Sequence, residues 1–146
     1  MSFRILPSFA RTLRPLTARP LPPQIRFYTA PSPKRYTFPE IRTLAASPRP
    51  SALLIDVREP GEFSAGAIPG AINLPIVTSP EALSLPADEF EDRFGFEKPR
   101  KDSEVVFYCK AGVRSAAAAR IALAEGYEKV GEYPGSWLEW VEKKDA

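Results

Sequence analysis

The sequence predicts an α/β fold on a mostly parallel sheet, and three features carry that expectation. Two continuous apolar runs, at residues 52–57 and 104–109, are too short for helices and suit strands covered on both faces. Helical segments lie between and after them, so strand and helix alternate along the chain. The second run ends in the chain's one cysteine, followed by a glycine-containing loop and then a helix, the unit that opens a site at a sheet edge. At 146 residues there is room for one such domain and a tail.

The elements follow in order. Thr37-Phe38-Pro39-Glu40 has the form of a capping box with proline in the first turn, and predicts a helix to about Ala46, closed by Ser47-Pro48. The run Ala52-Leu53-Leu54-Ile55-Asp56-Val57 is the first strand. Pro69-Gly70 marks a turn, residues 71–73 a short strand, and residues 87–94 an acidic helix. Glu104-Val105-Val106-Phe107-Tyr108-Cys109 is the second long strand. Residues 115–125 read as helix, with four consecutive alanines that allow close approach to a sheet and Gly126 as the C-terminal cap. A short strand near Val130 and a last helical turn with Trp137, Trp140 and Val141 complete the reading, the tryptophans docking that turn on the core. No internal repeat is visible.

Charge divides the chain. The overall balance is +2, yet residues 1–38 hold Arg4, Arg11, Arg14, Arg19, Arg26, Lys34 and Arg35 and no acid. That leaves thirteen basic against eighteen acidic residues beyond Phe38, a net of −5, so the basic average does not point to a nucleic-acid partner. An Arg-rich, acid-free, Ser/Thr-containing start is the composition of an organelle transit peptide. Phe3, Ile5, Leu6, Phe9 and Leu13 alternate with Arg4 and Arg11 as one side of a short amphipathic helix, suited to a negative-inside potential. Arg26-Phe27-Tyr28-Thr29 places a processing cut near Tyr28. The expected organisation is a mitochondrial transit peptide over 1–28, with the matrix as destination, a disordered linker over 29–35 and the folded domain over 36–143. A disordered basic arm is the alternative. No apolar run approaches the ~18 residues of a membrane span, so no stable membrane association is expected.

Composition also bounds the chemistry. One cysteine excludes an intrachain disulfide, and the absence of histidine excludes Ser-His-Asp and Cys-His mechanisms. Together they argue against a zinc site, and no metal or cofactor is expected. The loop Cys109-Lys110-Ala111-Gly112-Val113-Arg114-Ser115 offers another route. Its amides and the following helix N-terminus can converge on the sulfur and favour thiolate. A free thiol of pKa ~8.5 is only a few per cent ionised at neutral pH. Lowering that by ~2 units, about 2.7 kcal/mol, makes thiolate the main form. Gly112 permits a positive-φ corner, while Lys110 and Arg114 supply charge for an anionic substrate, Arg114 at the loop–helix junction being the stronger candidate. The alternative is a buried structural thiol closing an apolar strand. The glycine, the two cations and the adjacent helix weigh against it.

These residues resemble the rhodanese family across roughly residues 36–143. The resemblance rests on Leu54-Ile55-Asp56-Val57-Arg58-Glu59-Pro60 with Glu62-Phe63 and residues 66–75, on the loop 109–115, and on Gly126-Tyr127, Val130, Gly135-Ser136-Trp137 and Trp140. Ala67, where many relatives carry histidine, and Ser136, where a second glycine is common, depart from the pattern outside the loop. The resemblance implies a rhodanese-like α/β fold, with a five-stranded mostly parallel sheet flanked by helices on both faces. It implies a thiosulfate sulfurtransferase in which Cys109 takes a sulfane sulfur as a persulfide. The donor is thiosulfate or a low-molecular-weight persulfide and the acceptor a thiol, glutathione among them, or cyanide. Loop residues 110–115 would bind the donor and stabilise the persulfide. Asp56, Arg58 and Glu59 are read as structural support, ordering loops by ion pairing. Four residues between Cys109 and Arg114, against five in phosphatases and arsenate reductases of the same fold, argue against phosphoryl chemistry. A non-catalytic binding module, which commonly lacks the cysteine, and a sulfur carrier dedicated to a partner protein are the remaining alternatives.

Overall fold

The computed structural model describes residues 2–4, 18–21, 23, 30–49 and 51–146. The apolar positions from Ile5 to Leu13 and the cut expected near Tyr28 lie outside the described residues. Five strands form one sheet: β1 (Lys34–Arg35), β2 (Ala52–Asp56), β3 (Ile72–Asn73), β4 (Glu104–Tyr108) and β5 (Lys129–Glu132). Their order is β1-β5-β4-β2-β3, with every neighbouring pair parallel. Among the described residues five α-helices connect or follow them, α1 (Phe38–Ala46), α2 (Pro60–Ala65), α3 (Ala87–Phe94), α4 (Val113–Ala124) and α5 (Ser136–Lys143), with a short 3-10 turn at Ala82–Ser84.

The continuous apolar runs are explained by this arrangement, because alternate side chains feed two cores. On one face Ile55, Val105 and Phe107 pack with Phe90 of α3 and Ala118, Ala119 and Ala122 of α4. On the other, Leu54, Val106 and Tyr108 pack with Phe38, Ile41 and Leu44 of α1 and Trp140 of α5. A central strand buried on both faces has no polar side to show, so its sequence does not alternate. The three alanines of α4 are fully buried and let that helix lie close against β4 and β5.

The capping box predicted for α1 is present, with the Thr37 N–H donating to Glu40 Oε2 at 2.8 Å. Gly126, at φ +89°, takes the left-handed position after α4. Boundaries move modestly: β4 stops at Tyr108, α4 begins two residues before Ser115, and the last helical turn is a helix of eight residues. The linker expected over 29–35 requires correction, since Lys34 and Arg35 form the edge strand β1 against Gly131 and Glu132. Both β1 side chains are exposed, so the strand is made by backbone hydrogen bonds and leaves no apolar pattern to read. Tyr36 then lies across Gly131, where any Cβ would collide with its ring. Helix α2 was not anticipated either. It is short, contains Gly61 and buries no residue fully.

Candidate active site

Strand β4 delivers Cys109 to the carboxyl edge of the sheet, and α4 begins four residues later. Between them the chain turns sharply at Gly112, whose φ is +96°. A Cβ there would also stand 2.6 Å from the Pro134 carbonyl oxygen, so glycine is required by conformation and by space. The turn brings the Gly112 N–H back onto Cys109 Sγ at 3.0 Å. From the first turn of α4, Ser115 Oγ accepts from the Cys109 thiol at 3.4 Å, and once the sulfur is ionised the hydroxyl can turn its proton toward it.

Cys109 is 1% exposed, and burial pushes its thiol up. The Ser115 hydroxyl and the amides of Ser115, Gly112 and Ala111 act the other way and prevail, leaving the thiol below its ordinary value. An N–H or O–H aimed at sulfur stabilises thiolate over thiol, so this cradle can favour the thiolate without a histidine.

Behind the sulfur stands Ser136, a residue whose role the sequence did not disclose. Its Oγ accepts the Cys109 N–H at 3.2 Å and donates to the Tyr133 carbonyl at 2.7 Å. With its proton so placed, the hydroxyl lies 3.9 Å from Sγ without donating to it. Among the described residues Ser136 is the one non-glycine at positive φ, +55°. At this position, where the resemblance leads to the expectation of a second glycine, serine stands with its side chain tied down on both sides. The next two amides of α5, Trp137 and Leu138, donate to the carbonyls of Cys109 and Lys110 at 2.9 and 3.1 Å. Thus α5 holds the loop from the far side, and the signal was the departure at Ser136 itself.

Arg114 lies in the first turn of α4, next to Ser115, and the charge on Cys109 is among the causes that raise its pKa, after its pairing with Glu62. Its guanidinium, however, faces Glu62 of α2, Nη1 to Oε2 at 2.8 Å and Nη2 to Oε1 at 3.1 Å. The paired guanidinium holds the Glu62 carboxyl down at about 2. Glu62 Oε2 also accepts the Glu59 N–H at 3.0 Å, the capping box of α2. Glu59 and Glu62 stand at the same spacing as Thr37 and Glu40, but glutamate is not a usual N-cap residue, and neither this box nor the pairing of Glu62 with Arg114, 52 residues away, was read from the sequence. Lys110 and Ala111 are exposed on the rim, and the Val113 side chain is 79% exposed.

Asp56 and Arg58 form a buried pair beneath the site. Arg58 donates to Asp56 Oδ1 and Oδ2 through Nε and Nη2, down to 2.7 Å, and Nη2 also reaches the Gly66 carbonyl at 2.7 Å. The guanidinium lies 4.8 Å from the Trp137 ring. Asn73 Nδ2 bridges the carbonyls of Asp56 and Arg58. The pair therefore ties β2 to the segment before β3 and to α5, rather than facing the sulfur. Glu59 caps α2 and accepts the Thr78 hydroxyl at 3.2 Å. Among the described residues no group of three or more His, Cys, Asp or Glu could hold a metal ion. No helix among them is long and apolar enough to cross a membrane.

A strand-end cysteine in a ring of amides, on this sheet order, coincides with a family match: residues 40–143 fit the rhodanese-like domain. The chain belongs to the rhodanese family. Among rhodanese relatives it is 43% identical over 133 residues to the mitochondrial thiosulfate sulfurtransferase RDL2 of Saccharomyces cerevisiae, covering 91% of this chain and 89% of that one. The human thiosulfate:glutathione sulfurtransferase is 39% identical over 109 residues, covering 74% of this chain and 93% of that one. The crystal structure of the yeast single-domain sulfurtransferase RDL2 superposes with a TM-score of 0.75 at 45% identity, covering 80% of this chain and 94% of that one. The structure of the human single-domain sulfurtransferase TSTD1 gives 0.69 at 38% identity, over 77% and 98% of the two chains. The expected fold, a five-stranded parallel rhodanese sheet with helices on both faces, is the one observed.

Proposed function

We propose that this rhodanese is a mitochondrial thiosulfate sulfurtransferase whose sulfur carrier is Cys109. The observation that carries the reading is the convergence of the Gly112 N–H and the Ser115 hydroxyl on Cys109 Sγ. Relatives whose names specify thiosulfate sulfurtransferase and thiosulfate:glutathione sulfurtransferase support the donor and the acceptor.

In the first half-reaction the Cys109 thiolate attacks the outer sulfur of thiosulfate. The new Sγ–S bond forms as the bond to the sulfonate sulfur breaks, and sulfite leaves with the electron pair. The amides that held the thiolate then face the persulfide, whose charge they stabilise in the same way. In the second half-reaction the thiolate of an acceptor, glutathione in this proposal, attacks the outer sulfur of the protonated persulfide. The Sγ–S bond breaks, the acceptor leaves as its persulfide, and Cys109 returns as thiolate. Because the chain holds no second cysteine, discharge goes to an outside acceptor. Loop residues 110–115 form the donor-binding rim, and Asp56, Arg58 and Glu59 support it from below.

Intact mass before and after incubation with thiosulfate tests this, with Cys109→Ser alongside. The expected result is a gain of one sulfur atom, removed by glutathione and absent from the variant. An unchanged mass in the wild-type protein, or an adduct retained in Cys109→Ser, overturns the assignment.

A further inference from the structure

The arginine at the junction of the cysteine loop and α4 is already occupied. Arg114 is engaged by both oxygens of Glu62, and the two side chains are only 27% and 35% exposed, so water screens the pair incompletely. Glu62 does not hang freely from its helix. Its Oε2 is shared between Arg114 and the Glu59 N–H at the start of α2, which fixes the carboxylate where it stands. Throughout the neutral range the carboxyl is ionised, since Arg114 holds it at about 2. The arginine nearest in sequence to the cysteine loop's helix start thus has its charge neutralised and its fork filled by a fixed carboxylate.

From this we infer that Glu62 is a specificity-determining residue that acts through Arg114 and sets the site against highly charged donors. Coulomb energy is linear in the donor's charge, so a fixed carboxylate penalises a dianion twice as much, in free energy, as a monoanion in the same place. Thiosulfate carries two negative charges, whereas an alkyl thiosulfonate or an ionised small-molecule persulfide carries one. The Glu62–Arg114 pair thus shifts preference away from thiosulfate and toward singly charged sulfane donors. The inference rests on Cys109 being the sulfur acceptor, and it concerns which donor the cysteine meets, not whether it reacts.

The test compares thiosulfate with methanethiosulfonate, a monoanion from which the same attack releases methanesulfinate. Steady-state kinetics are measured for the wild type, Glu62→Gln and Arg114→Gln. The glutamine oxygen of Glu62→Gln still accepts the Glu59 N–H, so the cap of α2 is kept. The expected result for Glu62→Gln is a KM for thiosulfate lower by about tenfold and for methanethiosulfonate by about threefold, with kcat little changed. Arg114→Gln leaves the carboxylate unpaired and raises the thiosulfate KM by the larger factor. It gives an independent reading if Glu62→Gln folds poorly. Equal factors for the two donors in both variants, or a higher thiosulfate KM in Glu62→Gln, overturn the inference and leave Glu62 as a clamp that merely orders Arg114. Either result leaves the Cys109 adduct of the wild type, and so the sulfurtransferase reading, separately decided.

Discussion

At Cys109, burial and hydrogen bonding act in opposite directions on the same proton. Burial favours the neutral thiol, while the Ser115 hydroxyl and three amides favour the anion and win. The folded thiol titrates below its ordinary value, so the stability these contacts give is present above the unfolded pKa. It is lost as pH falls through the folded one. Removing the hydroxyl should shift the balance back toward thiol. Ser115→Ala is expected to slow iodoacetamide alkylation of Cys109 at pH 7 by about three- to tenfold. The two rates should converge at alkaline pH, where both proteins are thiolate. A rate that is unchanged at pH 7 would assign the activation to the backbone amides alone. Cys109, Gly112 and Ser115 were legible as a group because seven consecutive positions carry the whole cradle. Glu62 and Ser136 were not, since each reaches the loop from a distant segment by a contact that no local pattern encodes.

Among the elements, α5 illustrates what a short reading frame misses. The sequence predicts one docked turn with Trp137 and Trp140, and the two tryptophans do face inward. Trp140 is 7% exposed, its ring 5.6 Å from Phe38 of α1. Trp137 is half-buried beneath Arg58 and against Gly66. The helix has a second duty in its first turn, where Trp137 and Leu138 amides hold the carbonyls of the cysteine loop. Docking and site geometry are therefore coupled through eight residues. Trp140→Ala should cost about 3–5 kcal/mol in urea unfolding, the range for emptying a large aromatic site. A cost below about 1 kcal/mol would show that α5 is held by its loop contacts rather than by its aromatic face. Helix α2 and strand β1 went unseen for a shared reason. Neither buries an apolar stripe, and hydrophobic periodicity is blind to elements held by backbone bonds and caps.

For the molecule as a whole, charge and fold part company near the same point. Every acidic residue lies beyond Phe38, and the net −5 of that portion belongs to the domain described above. The basic start is proposed to be an import signal over residues 1–28, delivering the protein to the mitochondrial matrix. Relatives named as mitochondrial support the organelle. N-terminal sequencing of the protein purified from mitochondria should give a first residue within a few positions of Tyr28. A chain recovered with Met1 or Ser2 at its start would remove the transit-peptide reading without touching the domain.

By itself the sequence determined the class of fold, the two central strands, the helix that follows the cysteine and the loop residues that gather around the sulfur. Each of these is written in contiguous residues, as an apolar run, a cap or a turn glycine. Only the tertiary structure decided that Arg114 is spent on Glu62, that Ser136 anchors the cysteine amide, and that the Asp56–Arg58 pair, already expected to order loops, does so against Gly66 and Trp137. Those contacts span 52 and 27 residues in the first two cases, and the third, though only two residues long, acts through Gly66 and Trp137. Such contacts exist only after a parallel sheet has brought its carboxyl edge together, because side chains remote in sequence become neighbours through packing rather than through period.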